Sequence, residues 1–154
     1  REIKSWRARI APDIADWKNS GGSLLRDGRL AEAKEILARH PDSLLIGEQE
    51  IQFVQDSQTN QKKEQKEKEE AEELASRLNG LEVDLKVKTG EGGRLFGSIT
   101  GKDLADAIYK KTKIELDKRK LELEESIKSL GRHQVKVHLY KGIDAEIYVN
   151  VVAE

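Results

Sequence analysis

The sequence predicts an α+β protein in which short N-terminal helices and a long exposed helix precede a small sheet of three or four strands, packed with one or two helices. Three observations support this prediction. Apolar residues recur at helical spacing before residue 55, no apolar residue occurs between residues 55 and 70, and apolar and polar residues alternate after residue 80. We therefore divide the chain into a small helical segment (1–55), an exposed charged connecting helix (56–80) and an α+β domain (81–154).

The first segment contains four large apolar residues at helical spacing, Trp6, Ile10, Ile14 and Trp17. Pro12 is expected to interrupt this first helix. A second helix is predicted over residues 24–39. Trp6 and Trp17 are expected to pack against the second helix and Phe53 in a small core. The alternative is that these three aromatic residues contact a protein partner.

The connecting helix is predicted from Gly47 to Leu78. Residues 61–70 (QKKEQKEKEE) are good helix formers with opposite charges four positions apart, and each such pair stabilises a helix by a few tenths of a kcal/mol. Asn79 and Gly80 both tolerate the left-handed conformation that ends helices. At 1.5 Å per residue the helix would be roughly 48 Å long, which indicates a rigid spacer.

Composition excludes several classes of protein. There is no cysteine for a disulfide or thiolate metal site, and no apolar run approaches the roughly 18 residues that span a bilayer. These features and the lack of a signal-peptide pattern favour a cytoplasmic protein. Basic and acidic residues number 28 and 29, so net charge alone does not indicate nucleic-acid binding. The chain opens on Arg1 rather than on Met, which suggests an engineered chain or a fragment.

The last segment alternates as strands do at residues 81–87, and again in a hairpin at 135–139 and 147–151. Thr100 and Asp103 have the spacing of a capping box at the start of a helix. Residues 121–123 alternate briefly, and residues 127–130 are expected to form a short helical turn that ends at Gly131.

We find no pattern that predicts catalysis, and expect no cofactor, metal or nucleotide. The glycine loop at residues 90–94 is not a P-loop, because the lysine and hydroxyl spacing is wrong. His40, His133 and His138 lack metal-ligand spacing with carboxylates. Phe96 after this loop is expected in the core, with stacking on RNA beside Arg94 as the alternative.

The glycine loop and the segments after it resemble the C-terminal domain of the ninth protein of the bacterial large ribosomal subunit. The resemblance rests on residues 90–100 (GEGGRLFGSIT), 103–108 (DLADAI), 114–120 (IELDKRK), 127–133 (IKSLGRH) and 151–154 (VVAE). It extends over residues 60–154, since the charged helix resembles the exposed helix of that protein. The resemblance implies a structural constituent of the large subunit that binds rRNA. It implies no enzymatic activity.

Two departures qualify this resemblance. Nothing in residues 1–55 resembles the family's N-terminal rRNA-docking domain, and Tyr140-Lys141-Gly142 replaces the usual His-Pro turn of the last hairpin. Residues 16–33, 40–44 and 53–57 instead resemble a helical connector of bacterial STAND-type signalling NTPases with WD-repeat modules. Together the two resemblances predict a chimera. In the alternative function, residues 1–55 form a protein-interaction segment carried on the ribosomal domain.

Eight basic residues of the last segment are candidates for RNA contact: Arg94, Lys102, Lys110, Lys111, Lys113, Lys118, Arg119 and Lys120. Residues 81–154 hold 14 basic and 13 acidic residues, so a solvated surface is the simpler interpretation of these lysines. We expect weak binding to large-subunit rRNA or a neighbouring ribosome through local clusters, because the main rRNA-docking domain is missing.

Overall fold

The computed structural model describes residues 1–123 and 126–154, so the adjacent carboxylates of Glu124 and Glu125 lie outside it. Contacts divide the chain into two compact units, Arg1–Lys66 and Glu67–Glu154. The described residues form four α-helices, including one long helix, and six β-strands. The predicted α+β class is therefore confirmed, while the predicted three-part division remains a prediction.

The first unit is helical. It consists of α1 (Glu2–Ser20), α2 (Asp27–Arg39) and the first part of α3 (Glu48–Leu78). Trp6 and Phe53 are almost fully buried in its core, and the rings of Trp17 and Phe53 lie 5.4 Å apart. The core packing predicted for these aromatic residues is therefore present.

Helix α1 is continuous through Pro12, so the predicted interruption is wrong. A proline inside a helix costs about 3 kcal/mol because it removes a backbone hydrogen bond and crowds the preceding turn. Four residues of α1 are buried, Ile3, Trp6, Ile10 and Ile14. Burying one such side chain stabilises by roughly 1.5–3 kcal/mol, so together they outweigh the proline.

Helix α2 begins at Asp27 rather than at the predicted residue 24. The Leu25 N–H instead donates to the Ser57 hydroxyl at 3.0 Å, and that hydroxyl donates to the Phe53 carbonyl at 2.7 Å. Leu25 and Ser57 are both buried. A long-range contact with α3 therefore satisfies the Leu25 amide outside the helix.

Helix α3 agrees with its predicted range to within one residue. The Asn79 N–H donates to the Ala75 carbonyl at 2.8 Å, and Gly80 follows with a φ of 76°. The predicted helix end at Asn79-Gly80 is thus confirmed. Within the described residues, no helix has the length and apolar character needed to cross a membrane.

The second unit contains a mixed four-stranded sheet in the order β1-β6-β5-β3 and a small antiparallel sheet of β2 with β4. The strands are β1 (Leu81–Val87), β2 (Arg94–Ile99), β3 (Leu121–Glu122), β4 (Ile127–Ser129), β5 (Gly131–Tyr140) and β6 (Ile143–Ala153). Strand β1 is parallel to β6, whereas β5 is antiparallel to β6 and β3. The predicted final hairpin is therefore β5 and β6.

One face of the large sheet forms the core of the second unit. Val83, Val137 and Ile147 are buried there in one cluster with Leu104 and Ile108 of α4 (Gly101–Thr112). Ala71 and Leu78 of α3 belong to the same cluster. The core thus includes residues before the predicted start of the domain.

Residues 127–129 form strand β4, so the predicted helical turn at 127–130 is wrong. Ile127 is buried opposite Ile99, and Ser129 lies opposite Arg94. Pairing with β2 gives this short segment backbone partners that a single helical turn would lack.

Candidate nucleic-acid interface

The eight candidate RNA-contacting residues are all exposed, but they lie in separate places on the second unit. Lys102 and Lys118–Lys120 lie at the first turn of α4, whereas Lys110, Lys111 and Lys113 lie at its other end. At 1.5 Å per residue, Lys102 and Lys113 are roughly 16 Å apart along the helix. Arg94 begins strand β2. The structure therefore forms no single basic patch from these residues.

We call the first group the α4-start basic group; it consists of Lys102, Lys118, Arg119 and Lys120. Lys118–Lys120 form one 3-10 turn, which we call the basic turn. A Cβ placed on Gly101 would lie 3.2 Å from the Lys118 carbonyl oxygen, so the turn packs directly on the start of α4. This contact brings together basic residues that are 16 positions apart in the sequence.

A capping box fixes the first turn of α4, as predicted. The Asp103 Oδ2 accepts the Thr100 N–H at 2.8 Å and the Thr100 hydroxyl at 2.7 Å. The hydrogen bond from the Thr100 N–H lowers the pKa of Asp103. Asp103 thus remains an anion at neutral pH beside Lys102, where it opposes phosphate binding and holds the helix start in place.

Arg119 is paired within its own turn. Its guanidinium donates to Asp117 Oδ2 through Nη2 at 2.7 Å and through Nε at 3.1 Å. The backbone N–H of Arg119 donates to Asp117 Oδ1 at 2.9 Å. These hydrogen bonds lower the pKa of Asp117 to about 2. A phosphate must compete with this carboxylate for Arg119, so Lys118 and Lys120 are the more available cations.

Two side chains of the second group, which consists of Lys110, Lys111 and Lys113, contact other residues of the second unit. The Lys111 ammonium donates to the Glu82 carbonyl and so ties α4 to β1. Lys113 ends the helix in the left-handed conformation, and its ammonium lies 5.6 Å from the centre of the Tyr109 ring. Tyr109 is half exposed and was absent from the predicted site, although an aromatic residue among lysines is a signal for nucleic-acid contact.

Phe96 is 78% exposed, so the expectation that it lies in the core is wrong. Its ring lies over Gly90, where an added Cβ would be 3.2 Å from the Phe96 Cζ. Gly97 next to it has a φ of 106°, which few residues other than glycine adopt. Gly90 in the loop and Gly97 in β2 therefore flank an aromatic ring that lies in solvent, two residues from Arg94. The alternative interpretation, in which Phe96 stacks on RNA beside Arg94, stays a prediction.

The open face of the large sheet is unfavourable for RNA. Its carboxylates are Glu82, Asp84, Glu122, Asp144 and Glu146, and its cations are Lys86, Arg132 and Lys136. Arg132 pairs with Glu82 at 2.7 Å and covers the Tyr148 ring at 4.0 Å. The excess of carboxylates repels phosphate, so this face is a poor surface for a nucleic-acid backbone.

The three candidates for protein contact lie in the first unit. Trp6 is 1% exposed, Phe53 is 0% exposed and Trp17 is partly buried. Of the three, Trp17 alone presents surface to a partner in this conformation, and a partner-binding role for them remains a prediction.

Comparison with known proteins agrees with this architecture. Residues 69–153 match the family model for ribosomal protein L9, C-terminal domain. This match covers more than half of the chain. The chain belongs to this family.

Individual relatives give the same result over the same part of the chain. The large ribosomal subunit protein bL9 of Pelotomaculum thermopropionicum is 51% identical over 81 residues, which is 53% of this chain and 55% of the relative. The bL9 of Acetivibrio thermocellus is 46% identical over 81 residues, with the same coverage. This chain thus spans about half the length of the curated bL9 relatives it matches.

Proposed function

We propose that the second unit is a non-enzymatic module of the large ribosomal subunit, which contacts rRNA weakly in the cytoplasm. Membership in the L9 C-terminal family and the names of the relatives support a structural ribosomal role. The observation that supports the RNA contact is the α4-start basic group, which folding assembles from two separate parts of the sequence. This role needs no catalytic residue, cofactor or metal.

The proposed contact is local. Residues 81–154 contain 14 basic and 13 acidic residues, so their net charge is close to zero and long-range attraction to RNA contributes little. Lys102, Lys118 and Lys120 would meet phosphates, while Arg94 and Phe96 would meet a phosphate and an unstacked base. With three or four phosphates, we expect a Kd on the order of 10⁻⁴ to 10⁻⁶ M at physiological salt, typical of non-specific binding.

Charge reversal within the full chain tests this proposal. In one variant Lys118, Arg119 and Lys120 become glutamate; in a matched control Lys86, Lys136 and Lys141 become glutamate, with the same change in net charge. Lys86 and Lys136 lie on the open sheet face and Lys141 in the hairpin turn. Binding to a fluorescent rRNA fragment should weaken by at least tenfold in the first variant and much less in the control. Equal losses would show that net charge, rather than this surface, determines binding.

A further inference from the structure

His138 on the open sheet face lies between two carboxylates from the strands on either side of it. Its Nδ1 is 2.5 Å from the Asp144 Oδ1, and its Nε2 is 2.8 Å from the Glu122 Oε2. Asp144 belongs to β6, His138 to β5 and Glu122 to β3. We call these three residues the His138 clamp. The clamp links three neighbouring strands through one imidazole ring.

The clamp acts at the edge of the large sheet formed by its shortest described strand, β3. Strand β3 has two residues, which pair as Leu121 with Val137 and Glu122 with Lys136. A strand this short pairs through few backbone hydrogen bonds, so the side-chain link from Glu122 to His138 adds to its attachment. Strand β3 also follows directly after the basic turn. Its attachment therefore helps to fix Lys118–Lys120 against α4.

The protonation state of His138 decides whether both links exist. An imidazolium donates a hydrogen bond from each nitrogen, so both carboxylates can accept. A neutral imidazole donates from one nitrogen and presents a lone pair at the other, which repels the carboxylate there. We propose that His138 is a pH-sensitive clamp that ties β3 to the β5–β6 hairpin when protonated and releases this edge when neutral.

The surrounding charges act in both directions. Lys136 lies 3.5 Å from Asp144 and faces Glu146 across the hairpin, and the basic turn packs against β5 with three further cations. These cations oppose protonation, whereas Asp144 and Glu122 favour it at hydrogen-bond distance. The pKa of His138 is raised, mainly through its hydrogen bond to Asp144 and also through that to Glu122, while desolvation of the ring opposes the shift.

Because the pKa of His138 is raised in the folded protein, its protonation stabilises the fold at low pH. The folded protein binds the His138 proton more tightly than the unfolded chain, whose histidine titrates near about 6.5. The stabilisation is therefore complete below that pH and is lost as the pH rises through the higher pKa of the folded state.

Two NMR measurements on the full chain test the clamp. The first follows the His138 ring between about pH 5 and 9 in the wild type, Glu122→Gln, Asp144→Asn and the control Glu146→Gln. Glu146 lies on the same face but opposite Lys136. We expect the pKa of His138 to fall in both clamp variants and to change little in the control. An unchanged pKa in Glu122→Gln would overturn the proposal, because nothing would then link His138 to β3.

The second measurement is amide exchange at Leu121 and Glu122, corrected for the intrinsic effect of pH. Protection in the wild type should fall severalfold as His138 loses its proton. In His138→Gln the protection should be independent of pH over the same range. The same pH dependence in wild type and His138→Gln would overturn the clamp. Neither measurement uses RNA, so failure here is separate from failure of the proposed RNA contact.

Discussion

Asp117 competes directly with RNA for the basic turn in the proposed contact, because its carboxylate accepts hydrogen bonds from the guanidinium of Arg119. Replacing Asp117 with asparagine removes this competing negative charge and keeps the size of the side chain. We expect Asp117→Asn to bind an rRNA fragment severalfold more tightly, since a charge-assisted pair is exchanged for a weaker neutral one. Fluorescence anisotropy measures this, with Asp84→Asn on the open sheet face as the control. Weaker binding in Asp117→Asn would show that the carboxylate positions Arg119 for RNA.

Phe96 offers the complementary test, because its ring is exposed and its removal leaves the core intact. We expect Phe96→Ala to weaken RNA binding about tenfold, since one stacked base contributes roughly 1–3 kcal/mol. The thermal unfolding midpoint should change little. Phe96→Tyr, which keeps the ring, should bind like the wild type. A large drop in the midpoint with unchanged RNA binding would assign the ring a packing role instead.

At the scale of elements, helix α3 makes a direct prediction. Gln65 lies in its charged part, far from either end. Gln65→Pro should destabilise the helix locally by about 3 kcal/mol, because proline removes a hydrogen bond and clashes with the preceding turn. Circular dichroism should show a loss of helix relative to Gln65→Ala, and amide protection should fall near residues 60–75. Unchanged helix content in Gln65→Pro would contradict the account of this helix.

Elements with strong local signals could be predicted from the sequence. Helix α3 follows from helix formers and the Asn79-Gly80 end, and strands β1, β5 and β6 follow from alternation. The failures depend on distant contacts. Pro12 is tolerated because a core holds α1, and the start of α2 is set by Ser57, 32 residues beyond Leu25. Strand β4 forms because β2 is available to pair with it.

The candidate RNA interface was predictable in composition but not in arrangement. The basic residues could be named from the sequence, yet only the contact between Gly101 and Lys118 shows which of them lie together. Phe96 follows Leu95, and an aromatic residue beside an apolar one normally indicates a core position. Its glycine neighbours are the one local signal for exposure.

At the scale of the whole molecule, the boundary of the L9 module can be tested by truncation. A fragment of residues 67–154 should unfold cooperatively, because Ala71 and Leu78 complete its core. A fragment of residues 81–154 should be less stable by roughly 2–5 kcal/mol, the usual cost of removing a buried leucine. Urea unfolding of both fragments, with Leu78→Ala in the longer one, measures this. Equal stability of the two fragments would show that α3 adds nothing to the module.

The central claim is that this L9 module binds rRNA weakly through a few phosphate contacts. The most direct test is the affinity of the full chain for a labelled large-subunit rRNA fragment at several salt concentrations. Three or four contacts predict a slope of log K against log salt of about −2 to −4, at −0.7 to −0.9 per contact. Charge reversal at Lys118, Arg119 and Lys120 should make the slope shallower by about 2. Nanomolar affinity that does not change with salt would contradict the account, because it would require recognition of bases or shape rather than phosphates.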